Sequence, residues 1–147
     1  MIRPLIVGLG SSHGDDQAGW YVIERLRVHG VSEDDLQVAQ SPADLCQSEI
    51  SDRLLIVCDA ADDGRPAGTI GEWNWPEQPL PARHSGTHDL TLGDALSLAV
   101  QLGAAPAKVS VWMISGREFR PMSLPCTEVL ISASQLADCF YQRWYHA

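Results

Sequence analysis

The chain has 147 residues, 45% of them hydrophobic, which is one domain's worth of sequence and enough to bury a core without disulfides or a structural metal. Its formal net charge of −9 opposes attraction to nucleic acid or anionic lipid, which argues against a DNA-binding module. The longest apolar run, Leu54 to Cys58, falls far short of the roughly 20 residues that a membrane helix needs, and Pro4 with Gly8 and Gly10 interrupts any signal-peptide core. The expectation is a cytoplasmic protein with a single domain over 1–147.

Strand-like and helix-like segments alternate along the whole chain, the pattern of an α/β fold. Leu5 to Leu9 is a short apolar strand ended by Gly-x-Gly. Asp16 to His29 follows as a helix with Trp20, Ile23, Leu26 and Val28 near helical spacing. Leu36 to Ala39 reads as a second strand, and Ala43 to Ile50 as a helix with Ser41 as cap and Pro42 at its first position. Leu54 to Cys58 is apolar on both faces, as a central parallel strand covered on each side should be, with Asp59 ending it.

Thr69 to Trp75 alternates, Trp73 and Trp75 on one face and Asn74 on the other, which suits a less buried, antiparallel strand whose tryptophans pack on a helix. Pro76 to His88 carries three prolines and forms a loop of about a dozen residues, a length that often marks function. Thr91 to Leu102 is a helix with Thr91 and Asp94 spaced as a capping box. Lys108 to Ile114 is the last strand and Ser115 to Pro125 a second loop. Thr127 to Tyr145 is the closing helix, with Val129, Leu130, Leu136, Phe140 and Trp144 available for one face. The predicted product is a five-stranded sheet between helices.

In such a sheet, ligands gather beyond the carboxyl ends of the strands, where loops converge and helix N-termini point. The first loop, Gly8-Leu9-Gly10-Ser11-Ser12-His13-Gly14-Asp15-Asp16, suggests a dinucleotide fingerprint but fails it. His13 stands where the third glycine belongs, no acid ends the second strand, and Asp15 and Asp16 would repel a pyrophosphate. By themselves the two acids read as helix caps. Asp59, at the same rim, and His88, between the long loop and the Thr91 helix, add to them. Asp16, Asp59 and His88 make an O, O, N donor set suited to a borderline divalent ion, with open positions for ligands from elsewhere.

The other candidates are weaker. His84 is a reserve ligand, His13 could overhang the rim, and His29 and His146 read as solvated helix ends. Asp62-Asp63-Gly64 reads as a turn. Cys46, Cys58, Cys126 and Cys139 include no C-x-x-C pair and read as free thiols. No Gly-x-Ser-x-Gly elbow is present, and Cys126, a thiol in a loop, has nothing to lower its pKa.

These residues carry a family resemblance. The Leu-Ile-Val-Gly-Leu-Gly strand and turn, Gly14-Asp15-Asp16-Gln17-Ala18-Gly19, Ile56-Val57-Cys58-Asp59-Ala60 and His88-Asp89-Leu90-Thr91-Leu92 together resemble the maturation endopeptidases of nickel-iron hydrogenases, over nearly the whole chain. The resemblance implies a three-layer α/β/α sandwich around a five-stranded mixed, mostly parallel sheet, with metal-binding and catalytic positions at Asp16, Asp59 and His88. It implies removal of a C-terminal extension from a hydrogenase large-subunit precursor after nickel insertion. The nickel would be carried by the precursor and serve as the recognition signal, with zinc or cadmium as surrogates, and would polarise the peptide carbonyl, activate water or act as an anchor.

The chain departs from the family pattern in several places. Ser11 stands where Asn usually follows Gly-x-Gly, and the loop after it is one residue short. Gln17 replaces a common glycine, and Gly86-Thr87 stands where a Ser-Pro pair is frequent. Two other functions compete: a non-catalytic, metal-dependent precursor-binding protein of the same fold, and a nucleotide or small-molecule module built on Gly8 and Gly10.

Overall fold

The short apolar runs become five strands, β1 (Leu5–Leu9), β2 (Leu36–Ala39), β3 (Leu55–Ala61), β4 (Ile70–Trp75) and β5 (Val109–Ser115). Three α-helices accompany them, α1 (Ala18–Val28), α2 (Leu92–Gln101) and α3 (Thr127–Trp144). The structure, a computed structural model, describes residues 3–47, 53–82 and 90–146. The strands form one sheet in the order β2-β1-β3-β5-β4, parallel except for β4, which runs antiparallel to β5. This is the mixed, mostly parallel five-stranded sheet expected from the sequence.

Burial follows from strand position. β1 and β3, each with a parallel partner on both sides, are buried at every residue, so both of their faces must be apolar. Period-two alternation sorts the side chains into two cores. On β3, Leu55, Val57 and Ala61 join Leu92, Leu96 and Ala99 of α2, whereas Ile56, Cys58 and Ala60 join residues of α1 and α3 such as Ile23, Val129 and Phe140. The layers are therefore α1 with α3, the sheet, and α2 with a 3-10 turn over Pro42–Gln47. The edge strand β4 is only half covered, and Trp73 and Trp75 pack on the α2 side, as their alternation predicts.

Two glycines set how closely α1 lies on the sheet. A Cβ on Gly8 would stand 2.3 Å from the Gly19 carbonyl oxygen, and one on Gly19 would stand 2.3 Å from the Cys58 oxygen and 2.5 Å from the Leu9 oxygen. Backbone meets backbone here, which no larger residue permits. Gly8, the first glycine of the stretch that suggested a nucleotide fingerprint, thus serves helix–sheet contact.

The fold departs from the sequence expectations at four places. The helix expected from Ala43 is the 3-10 turn, because Asp44 turns back to accept from the Gln40 and Ser41 amides at 2.9 and 3.3 Å, a local bond that competes with regular helix; positions 48–50 of that expectation lie outside the described residues. The helix expected from Asp16 starts at Ala18, after a 3-10 turn over Gly14–Gln17. The Gly14 and Asp15 amides donate to Ser123 and Glu118 carbonyls across the molecule instead of to the helix. Val28 faces outward at 71% exposure, five positions beyond Ile23 and off the apolar stripe. Asp59 does not end its strand: β3 continues to Ala61, and Asp59 pairs with Met113 of β5.

Candidate functional site

The parallel strands β1, β3 and β5 deliver their carboxyl ends to one rim. There the loop after β1, the turn after β3 and the loop after β5 meet. α2 opens at a defined cap: the Thr91 hydroxyl accepts from the Asp94 amide at 3.1 Å, half of the capping box read from the sequence. Just before the segment leading to that helix, the Ala82 carbonyl accepts from the Asp62 amide at 2.9 Å, so the chain is anchored beside the end of β3.

Asp15, Asp16 and Asp59 are all buried, at 0%, 3% and 1% exposure, an arrangement that an acid sustains only with partners. Asp16 lies in the turn that enters α1 and packs against β3. Its Oδ2 accepts from the Ser11 hydroxyl at 2.5 Å, and its carbonyl accepts from the Ser11 amide at 3.3 Å. Gly10 must be small here, since its Cβ would stand 2.7 Å from the Asp16 oxygen. Asp59 lies within β3, on the α2 side by alternation with Val57 and Ala61, and its Oδ1 accepts from the Ala60 amide at 2.8 Å. In each carboxylate a neutral donor fixes one oxygen, the kind of support that orients an acid toward a cation.

Asp15 does different work. Its Oδ2 accepts from the Arg117 and Glu118 amides at 2.8 and 2.9 Å, and its Oδ1 accepts from the Cys126 amide at 2.7 Å. Cys126 is the N-cap residue of α3 and has no side-chain cap bond of its own. Asp15 therefore does act at a helix start, as the capping reading anticipates, but at a helix 111 residues away in sequence, while also pinning the loop after β5. With three backbone donors on its carboxylate, it is a structural tie.

The remaining candidates sort by their contacts. Burial, followed by the nearby Asp15 and Glu128 carboxylates, pushes the Cys126 thiol up to about 11, and its Sγ donates to Asp15 Oδ2 at 3.3 Å; a thiol held protonated is a poor nucleophile. Burial pushes Cys58 further in the same direction, with Asp59 adding to it. All four cysteines are free, as read. His29 is not a solvated helix end: its Nε2 lies 2.6 Å from Asp138 of α3, and its ring stacks on Tyr141 at 4.5 Å. His13 is half-buried and its carbonyl accepts from the Asp16 amide. Asp63 is the turn residue expected, accepting from the Arg65 amide and guanidinium at 3.2 and 2.8 Å and from the Ser115 hydroxyl at 2.9 Å.

The structure thus carries two of the three predicted donors, Asp16 and Asp59, in elements that pack together at the rim. His88 and His84 lie outside the described residues. Among the described residues there is no group of three His, Cys, Asp or Glu side chains arranged to hold a metal ion.

Sequence reasoning missed the partition of labour between neighbouring acids. It also missed Ser11 as the donor to Asp16 and Gln17 as a link to the loop after β5, its Nε2 donating to the Ser123 carbonyl at 3.1 Å. Both residues stand where the chain departs from the resembled pattern.

With this arrangement comes a class of fold, an α/β sandwich with a mixed sheet and its acids at the carboxyl rim. No protein-family model matches the chain, and neither does any curated protein sequence. Solved structures do match. A [NiFe] hydrogenase maturation protease HycI from Thermococcus kodakarensis KOD1 superposes with a TM-score of 0.70 at 19% identity, over 95% of this chain and 90% of that one. HybD from Thermococcus kodakarensis, a [NiFe] hydrogenase maturation protease, superposes with a TM-score of 0.70 at 20% identity, over 97% and 99%. The endopeptidase HycI from Escherichia coli superposes with a TM-score of 0.72 at 14% identity, over 96% and 90%. The chain shares the fold of these proteins over 95–97% of its length.

Proposed function

We propose that the chain is an endopeptidase of hydrogenase maturation, which removes the C-terminal extension of a nickel-iron hydrogenase large-subunit precursor once nickel has been inserted. The observation that carries this reading is the pair of buried acids, Asp16 and Asp59, held by neutral donors at the carboxyl rim of a fold shared with hydrogenase maturation proteases. The nickel belongs to the substrate. Cysteines of the precursor hold it, and Asp16, Asp59 and His88 complete its coordination, so that only a loaded precursor is gripped. Residues 1–147 act as one domain, in the cytoplasm, and zinc or cadmium can stand in for nickel.

In this reading, the Ser11 hydroxyl and the Ala60 amide each fix one oxygen of the two carboxylates, which lets them bind with little reorganisation. Cys126 and Cys58 are spectators, because their thiols are held protonated. The peptide bond is placed near the acids by the ion it accompanies, and positioning of this kind is a large share of the rate enhancement.

The test is processing of a nickel-loaded precursor, followed by gel mobility and by the mass of the released peptide. Wild-type protein should shorten the precursor. Asp16→Asn, Asp59→Asn and His88→Ala should each slow shortening by about 100-fold or more while remaining folded by circular dichroism. Wild-type protein that leaves the loaded precursor intact, or acid variants that process it at the wild-type rate, would overturn the assignment. Metal-dependent binding without shortening would identify the non-catalytic alternative.

A further inference from the structure

The loop after β5 contains a residue in a conformation that its side chain does not favour. Ser123 donates its amide to the Arg120 carbonyl at 3.2 Å, Pro121 follows Arg120, and Met122 has a φ of +60°. This matches a type II turn, whose third position belongs by preference to glycine or asparagine. Met122 is the only non-glycine residue with positive φ among the described residues. The conformation is enforced from outside the turn: the Met122 amide donates to the Ser12 carbonyl at 3.0 Å, and the Ser123 carbonyl accepts from the Gly14 amide at 3.1 Å and from Gln17.

A methionine kept where glycine would be easier should repay the strain through its side chain. Within the fold it does not, since Met122 is 81% exposed and Leu124, two residues on, is 80% exposed. The loop's charges are engaged locally, Arg117 with Glu128 at 2.9 Å and Arg120 with Glu118 at 2.8 Å. Arg117 and Arg120 stay exposed in these pairs, so the loop offers a partner two apolar side chains, Met122 and Leu124, bordered by paired charges. Its hydrogen bonds run to Ser12, Gly14 and Gln17, in the same stretch as Asp16, so the loop that carries the apolar pair is tied beside the candidate site.

We infer that Met122 and Leu124 are specificity residues that grip an apolar stretch of the protein substrate beside the Asp16–Asp59 rim. The inference rests on the proposed function for the identity of that substrate. The turn and its outside ties fix the backbone at Met122, which lowers the ordering cost of binding, and methionine's flexible thioether suits an apolar surface of irregular shape. The two residues position substrate and take no part in bond cleavage.

The experiment measures affinity and turnover separately, using the full chain and the nickel-loaded large-subunit precursor. Affinity is read by biolayer interferometry, turnover by gel. The double variant Met122→Gly, Leu124→Ser should keep its unfolding midpoint, bind the precursor about tenfold or more weakly, and raise KM in proportion with kcat nearly unchanged. Leu102→Ser, which removes an apolar side chain 63% exposed at the far end of α2, should leave affinity unaltered. If wild type shortens the precursor and the double variant binds it as tightly as wild type, this inference is overturned while the protease reading stands. If wild type binds without shortening, the protease reading falls and weakened binding by the double variant still supports the inference. If wild type neither binds nor shortens, both are overturned.

Discussion

Replacing Asp15 probes the logic of the rim most directly, because its effect should be on stability, whereas that of its neighbour Asp16 should be on function. The Asp15 carboxylate is fully buried and accepts from three backbone amides, those of Arg117, Glu118 and Cys126. Hydrogen bonds to a charged group contribute about 1.5–3 kcal/mol each, and orphaned buried donors add a desolvation cost. Allowing for water that enters the space, Asp15→Ala should cost about 4 kcal/mol, a large share of the 5–15 kcal/mol that is typical of a whole domain. With a urea m-value of about 2 kcal/mol/M, the midpoint should fall by about 2 M. Asp15→Asn is no rescue. It keeps one oxygen for the Cys126 amide but turns an NH2 group toward the Arg117 and Glu118 amides, so about 3 kcal/mol should still be lost. Asp16→Asn keeps an acceptor for the Ser11 hydroxyl and should cost under about 1 kcal/mol. Urea unfolding of the three variants, followed by circular dichroism, checks the set. A midpoint for Asp15→Asn within about 0.3 M of wild type, or a larger fall for Asp16→Asn than for Asp15→Asn, would refute the assignment of structural and functional acids.

Three further outcomes follow from the packing and the charges. Gly19→Ala places a Cβ 2.3 Å from the Cys58 oxygen and 2.5 Å from the Leu9 oxygen; overpacking against rigid backbone should cost about 3 kcal/mol and lower Tm by about 8 °C in a calorimetric scan. At Asp63, burial alone would raise the carboxyl pKa, but the Ser115 hydroxyl and the Arg65 amide and guanidinium outweigh it and hold it low. The depressed folded value makes its contribution full above the ordinary carboxyl range, near about 4, and lost as pH falls through the folded value. Asp63→Asn should therefore flatten the acid limb of the stability–pH profile measured by urea unfolding. Iodoacetamide at neutral pH should modify exposed Cys139 first and Cys126 slowly, with Cys58 protected until the chain unfolds, as peptide mass mapping will read.

The legible parts of the fold were those in which local pattern and tertiary need coincide. β1 and β3 are continuous apolar runs because both of their faces are covered, β4 alternates because it lies at an edge, and Thr91 caps α2 with its own hydroxyl. The pattern misled where a residue answers to distant neighbours. Asp59 looked like a strand terminator because a charge followed five apolar residues, yet β3 continues through Ala60 and Ala61, paired with β5. Asp15 looked like a cap for the helix beside it because the amides it serves belong to residues more than 100 positions away. Donor types can be read from sequence, and the burial of Asp16 and Asp59 at one rim is what the structure adds to them. Which of two adjacent acids is spent on the backbone depends on the loop after β5, and no local spacing encodes that.

The alternation along β3 has a mechanical consequence. Asp59 shares the side of the sheet that carries α2, while Asp16 opens the layer that carries α1. A guest that engages both carboxylates bestrides the crest of the sandwich like a staple through two boards. Such a grip would close at the end of the sheet where the parallel strands finish, while Arg53, donating to the Pro4 carbonyl and to Asp35, ties the end where they begin.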